Sequence, residues 1–539
     1  MASRYASQFP TFGSQRAKAR ADQVRNGAGG FVFAMDPFAR LERFLVLGVD
    51  GSTYYASERT LILENAAAVS ACLALDGART VETIARLSES GRAPKNDPAI
   101  FALAIACGSA ELATRRAALA AVPRVCRTGT HLFGFVRDVR RFRGFGRGLR
   151  RAIGGWYEAM PLDRLVFQVL KYGQRGGWSH RDLLRLAHPV PDSEERRALY
   201  RWVTGGGTEA FAASTAKGPA ARLEALPEAI VAFEALRAAT TENDVVDLVR
   251  AHRFTHEMLP SRWKRSARVW EALLPEMPTT ALLRGLAQLT SVGLLAPGAE
   301  ASRFVANRLV DSTALVRARV HPLAVLAALK VYAQGRGERG KLSWSPVPSI
   351  VTALDEAFEL AFRAVVPSRK RFRLALDVSG SMEWGSIAGM PGLSPRLASA
   401  AMAMATLRTE PSCEVLGFSH ELVRIPIRAS DRLDHVLRTV SAIPMGATDC
   451  ALPILHATKS KTPVDVFVVY TDNETWFGSV HPYQALLRYR EATGIPAKLA
   501  VVGMTATNFT IADPTDPFSL DFVGFDAAAP AVLSDFARA

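Results

Sequence analysis

The sequence predicts two architectures in series: an α-solenoid of HEAT type over residues 1–365, then a doubly wound α/β domain over residues 366–539. Three observations predict it. The first part reads as helix after helix with no strand signal, broken by Pro or Gly turns. Near residue 366 the pattern changes to strands alternating with helices. The charge divides at the same place: of 66 Lys+Arg and 51 Asp+Glu, residues 366–539 hold 16 and 17, so the whole excess behind the net charge of +15 lies in front. A basic front beside a neutral last third is the mark of a polyanion-binding domain, with nucleic acid the expected polyanion.

The opening MASRYASQFPTFGSQRAKAR lacks the apolar core of a signal peptide. PAIFALAIACGSA, residues 98–110, is too short to span a bilayer and reads as a buried helix. The five cysteines form no CxxC pair, which speaks against a disulfide framework and leads us to expect a reducing cytoplasm and no membrane.

The front helices declare themselves by period. In PLDRLVFQVLKYGQR, residues 161–175, Leu162, Leu165, Val166, Val169 and Leu170 share one face, and Arg164, Gln168, Lys171 and Arg175 are expected as an exposed stripe opposite. Ser179 and Asp182 form a capping-box pair for the next helix, which Pro189 stops. Similar helices follow from Thr280, His321 and Asp355. Arg137, Arg140, Arg141, Arg143, Arg147, Arg150 and Arg151 crowd into RDVRRFRGFGRGLRR with Asp138 as its acid. Gly144, Gly146 and Gly148 break this run into two helices. One buries Leu132, Phe135, Val136, Val139 and Phe142, and the other Leu149, Ala152, Ile153 and Trp156. With so few acids to pair, the arginines form an expected phosphate-contacting surface. SRWKRSAR adds Arg262, Lys264, Arg265 and Arg268 around Trp263. His252 and His256 have metal-ligand spacing but lack a third ligand, so a groove-lining or core role is expected.

In the second part RFRLALDVS, CEVLGFSH, VDVFVVYTD and AKLAVVGMT read as strands, with helices between them. Mostly parallel sheets bind ligands at the carboxyl ends of their strands. Asp377, Ser379 and Ser381 stand at such an end, Thr448 lies in a loop before a helix, and Asp472 ends the buried strand. Hard hydroxyl oxygens with carboxylates behind them suit a divalent cation, Mg²⁺ or else Mn²⁺, that keeps several waters. Glu383 and Trp384 follow the loop and bear on its occupancy. No second cluster of His, Asp or Glu accompanies it, so two-metal hydrolysis is not expected. Asp513, Asp516, Asp521 and Asp526 lie among prolines and read as a solvated loop and strand edge.

Asp-x-Ser-x-Ser, then Thr, then Asp resembles the metal-ion-dependent adhesion site of von Willebrand factor A domains. The resemblance implies direct ligation by Ser379, Ser381 and Thr448, with Asp377 and Asp472 acting mainly through water. It also implies a protein ligand that offers the cation an acidic group. In the front part, LVLGVDGSTYYASER, APKNDPAIFALA, GTHLFGFVRDVRRFRGFGRGLRRAIGGWY, KYGQRGGWSHRDLLRLAHP and EMPTTALLRGL resemble the Ro autoantigen family of TROVE-domain ribonucleoproteins, here a bacterial member, from about Asn26 to the end. That resemblance implies an α-helical HEAT-repeat ring closed by a von Willebrand factor A-like domain. It implies a basic outer face for small Y RNAs and a central hole for single-stranded 3′ ends of misfolded noncoding RNA. The family's Y-RNA contacts map to Lys171, Arg175 and His188. A 3′-to-5′ exoribonuclease is a further implied partner. The reading is a non-catalytic RNA quality-control protein; the alternative is a protein-interaction scaffold working through a metal-dependent A domain, which the charge division disfavours.

Overall fold

A computed structural model describes residues 14–48, 58–205, 207, 226–337, 341–362, 366–384, 387, 393–525 and 529–539, with the side chains of 58–61 left aside. Most of LVLGVDGSTYYASER, and Asp526, lie outside these residues.

The front part is a solenoid of packed helices. Asp97–Cys107 packs on Gly129–Val139, and Pro322–Ala333 packs on Pro348–Leu360. The arginine run is split into two helices, as expected, but the first ends at Val139, before Phe142 and Gly144, and Gly148 lies inside the second, which starts at Arg147 behind Gly146. Leu132, Phe135, Val136, Val139, Leu149 and Ile153 are fully buried, and their burial drives the pairing. The Ser179–Asp182 capping box forms, and His188 caps that helix in the left-handed region at φ +48°. The solenoid closes on itself. The Arg319 guanidinium donates to the carbonyl of Glu89, and His321 Nε2 bonds the carbonyl of Arg92 at 2.9 Å.

The last third is a six-stranded sheet. Its order is β11 (Ser519–Val523), β9 (Lys498–Gly503), β8 (Val466–Thr471), β5 (Arg371–Asp377), β6 (Ser412–Phe418) and β7 (Leu422–Arg424). All neighbours are parallel except β7, which runs antiparallel on the β6 edge. Strand alternation sends Phe372, Leu374 and Leu376 into the apolar core shared with the solenoid, and Ala375 into a second core on the other face. The parallel register sets Leu376 beside Tyr470 and Asp377 beside Phe418. Strand ends therefore bring Asp377 and Thr471 to one edge, where the Thr471 hydroxyl donates to Asp377 Oδ2 at 2.7 Å.

Two features depart from the expected division at residue 366. β1 (Gln23–Arg25) and β2 (Phe31–Ala34) form a hairpin, and β2 pairs antiparallel with β10 (Phe509–Thr510) of the α/β part. The front is therefore not all helix; another short hairpin, β3 (Gln174–Arg175) with β4 (Trp178–Ser179), interrupts the solenoid. The acids expected to be solvated are ion-paired instead. Asp521 meets the fully buried Arg43 of helix Pro37–Leu47, Asp513 meets Arg20, and Asp516 meets Arg490 at 2.9 Å. Their partners are remote in sequence, which is why a local reading gave them to solvent. At the other end of the solenoid Arg408 bridges Asp355 at 3.4 Å and Glu359 at 2.7 Å. The α/β domain thus grips both the first and the last helix.

Candidate nucleic-acid interface and metal centre

A cavity of about 920 Å³ lies within the helical part. Its wall draws on segments as far apart as Leu87–Ile100, Arg127–His131, Lys171–Arg175, His256–Lys264, Pro278–Gln288 and Ala318–Arg319, so it is enclosed by the closing of the solenoid. Lys95, Arg127, Lys171, Arg175, Lys264, Arg284 and Arg319 line it, against Asp97 and Glu257. Seven cations facing two carboxylates make a strongly positive interior. Four of them, Lys95, Arg127, Arg284 and Arg319, come from widely separated segments, and no local sequence pattern joins them. His256 lines the same wall, in keeping with a groove-lining role, and its ring lies 5.5 Å from that of Trp270. His252 sits apart, 3.8 Å from Glu228.

The expected exposed stripe on residues 161–175 is corrected in two places. Gln168 is buried, and its Oε1 accepts the Gly129 amide at 2.9 Å, which ties two helices together. Arg175 is not on the helix, which ends at Lys171. It lies in β3, where Gly176 and Gly177 turn the hairpin at φ +58° and +81°. Lys171 is only partly exposed. Its Nζ lies 3.4 Å from Glu257 and over the rings of Phe167 and Tyr172. Lys171 and Arg175 therefore stand at the cavity wall, whereas His188 is exposed and does not line it.

Arg137, Arg140, Arg141, Arg147 and Arg151 are exposed, and none of them lines the cavity. Arg137 pairs with Asp138 at 2.8 Å. The arginine run folds against the hairpin: Phe145 and Arg140 both approach the Trp178 ring, and a Cβ at Gly176 would lie 3.3 Å from the Arg137 Cδ. In the second cluster, Arg262 is held by the Ala239 carbonyl at 2.6 Å, Lys264 faces the cavity and Arg265 is exposed.

The metal residues converge. Ser379 and Ser381 hydroxyls lie 3.1 Å apart. The Gly380 amide bonds Gly446 in the second loop at 3.2 Å, and Trp476 and Phe477 amides of the third loop bond the Thr448 carbonyl at 3.1 and 2.9 Å. A Cβ at Gly446 would lie 2.1 Å from the ring of the exposed His420, so a larger residue there would push that ring aside. Asp377, Ser379, Ser381, Thr448 and Asp472 are all buried. Asp377 accepts the Ser379 amide at 2.9 Å, and the nearby Ser381 hydroxyl favours the charged form of Asp472. Two more carboxyls, Asp449 and Glu474, adjoin them in sequence and are buried too. They were overlooked, although each sits one or two residues from a named ligand. Burial, then the neighbouring Asp472, pushes Asp377 up to about 7 and Glu474 up to about 8. Burial raises Asp472 and pushes Asp449 up to about 6. The recorded partners of these carboxyls are hydroxyls and amides rather than Lys or Arg. Among the described residues these acids hydrogen-bond no Lys or Arg, although the buried Arg396 is close enough to Asp377 to feel its charge, and buried acids behind paired hydroxyls fit a small hydrated divalent ion. Glu383 stands aside, at 3.5 Å from the Ser394 hydroxyl, and Trp384 is exposed.

A family model for the TROVE domain matches residues 24–330, and one for the Ro60 vWA domain matches residues 371–537. The chain belongs to the Ro60 family. A relative named RNA-binding protein RO60 from Deinococcus radiodurans is 43% identical over 518 residues, 96% of this chain and 95% of that protein. One of the same name from Caenorhabditis elegans is 34% identical over 591 residues, covering 97% and 91%. The crystal structure of the Deinococcus radiodurans Ro (Rsr) protein superposes with a TM-score of 0.68 at 42% identity, covering 93% of this chain and 99% of that one. The fold is thus that of the family: a helical front closed by a vWA domain with a mixed sheet. Among the described residues no helix is long and apolar enough to cross a membrane.

Proposed function

We propose that this chain is a non-catalytic RNA-binding protein of RNA quality control, taking single-stranded 3′ ends of misfolded noncoding RNA in its cavity and folded small RNA of the Y type on its arginine surface. The observation that carries this is the cavity wall. A cavity lined by seven cations and two acids attracts a phosphate backbone and reads no base sequence. Lys171 and Arg175 are assigned to RNA at this wall, with Arg175 reaching the hairpin beside the arginine run. Arg137, Arg140, Arg141, Arg147, Arg151, Arg265 and His188 are assigned to the outer surface. The five free thiols suit a reducing cytoplasm, and a 3′-to-5′ exoribonuclease is a fitting client of such a complex.

The cleft on the vWA domain is assigned to Mg²⁺, with Mn²⁺ as a substitute. Ser379, Ser381 and Thr448 would hold it directly, and Asp377 and Asp472 through water. A cation so placed supplies a Lewis-acid contact for an acidic group of a protein partner. The test of the RNA reading compares one structured RNA with and without a single-stranded 3′ tail. Removing the tail should weaken binding at least tenfold. Equal binding of blunt and tailed RNA overturns the cavity assignment.

A further inference from the structure

The metal cleft is not built from the vWA domain alone. Gln15 and Asn26 are both buried, and their side chains end on the loops that carry Thr448 and Asp472. Gln15 Nε2 donates to Asp449 Oδ1 at 2.6 Å and to the Val480 carbonyl at 2.8 Å, while its Oε1 accepts the Thr475 hydroxyl. Asn26 Nδ2 donates to the carbonyls of Thr475 at 2.8 Å and Asn473 at 3.3 Å, and its Oδ1 accepts the Gly30 amide at 2.7 Å. The Ala28 amide donates to Glu474 Oε2 at 2.8 Å. Gly30 lies so close that a Cβ there would stand 1.9 Å from the Thr475 carbonyl oxygen.

The loop they touch needs such support. Residues 472–481 connect β8 to helix Pro482–Thr493 without strand or helix, so their buried carbonyls lack sheet partners. Asn473 is a buried non-glycine at φ +67°, a backbone state that persists only when its surroundings impose it. The side-chain amides of residues 15 and 26 supply that imposition from the far end of the chain.

We infer that Gln15 and Asn26 are positioning residues for the metal cleft: they fix the loops of Thr448 and Asp472 in the arrangement that accepts a divalent cation. A fragment beginning near residue 366 would carry every ligand and still lack the site. The inference rests on the reading of the cleft as a cation site. By reciprocity, a cation that favours the ordered loop also favours the docked N-terminal segment.

The test uses the full-length protein and Mn²⁺, with affinity read by calorimetry and by electron paramagnetic resonance well below the unfolding temperature. Asn26→Ala and Gln15→Ala should each weaken Mn²⁺ binding at least tenfold and leave the affinity for tailed RNA within twofold. Asn26→Asp keeps the acceptor for Gly30 but cannot donate to the loop carbonyls, so it should behave like the alanine variant. In the wild type, Mn²⁺ should slow proteolytic cleavage within residues 14–34. Should Asn26→Ala fail to fold, Asn26→Asp, Gln15→Ala and the protection of the wild type decide the matter. Variants that bind within twofold of the wild type, wild-type affinity in Asn26→Asp, or no protection by Mn²⁺ overturn the inference while the cation reading stands. A wild type that binds no Mn²⁺ overturns the cation reading and the inference with it.

Discussion

The cavity and the cleft are electrostatic opposites. The cavity wall carries seven cations against two acids, whereas the cleft buries four carboxyls whose hydrogen-bond partners are hydroxyls and amides. Exposed charge of one sign costs little and acts at a distance; buried charge of one sign is expensive and demands a counter-ion or a proton. The two sites therefore call for different ligands. The cavity suits a long polyanion bound through many weak contacts, and the cleft suits a single small cation. The two sites should therefore bind their ligands independently.

The largest expected effect is in the cleft. Ser379→Ala together with Ser381→Ala removes two direct oxygen donors at once and should abolish measurable Mg²⁺ or Mn²⁺ binding, a loss of at least a hundredfold. RNA affinity should stay within twofold on the same preparation. Calorimetry for the cation beside filter binding for RNA reads both. Surviving cation affinity would reduce the Ser-x-Ser loop to a turn. A collapse of RNA binding with the fold intact would show that the sites are coupled.

Next comes the cavity. Lys171→Ala with Arg175→Ala should lower RNA affinity about tenfold to a hundredfold and flatten the dependence on log salt by about two units, one for each lost phosphate contact. Cation binding should not change. Unaltered affinity and slope would make the two residues structural, Lys171 through its pair with Glu257.

The same contrast explains what the sequence could disclose. Every strand read from RFRLALDVS to AKLAVVGMT is present, as is the Ser179–Asp182 cap, because period and capping are local. The Asp-x-Ser-x-Ser loop was legible for the same reason: its donors are two residues apart. Partners hundreds of residues away were not. Gln168 looked exposed because nothing near it reveals the Gly129 amide. The β1–β2 hairpin was passed over although NGAGG between QVR and FVFA is a turn signature, since strands of three and four residues carry little periodicity and β10 lies almost at the other end of the chain. The cavity's cations come from segments far apart in the chain, and only the closing of the solenoid brings them to one wall.

The smallest expected effect is the dependence of stability on pH, and it separates the two regions by sign. Burial, then Arg127, pushes the cavity residue His131 down to about 4, and burial does the same to His180 in the helical core. Between about 6.5 and 4 the unfolded chain takes up protons that these folded imidazoles refuse, so the helical part loses stability as pH falls. The cleft behaves oppositely. Its carboxyls, raised to about 7, 8 and 6 at Asp377, Glu474 and Asp449, keep protons that the unfolded chain has released, so the vWA domain loses stability as pH rises from about 4 toward 8. The two limbs have opposite signs, and hydrogen exchange resolved by peptide can assign each to one region or the other. His131→Gln should flatten the acid limb in the helical peptides alone, and Asp377→Asn the alkaline limb in the vWA peptides alone. Saturating Mn²⁺ should also flatten the alkaline limb, because the cation then replaces the protons that neutralise the buried acids. An alkaline limb that persists unchanged with Mn²⁺ would mean that the cation does not sit among these carboxyls.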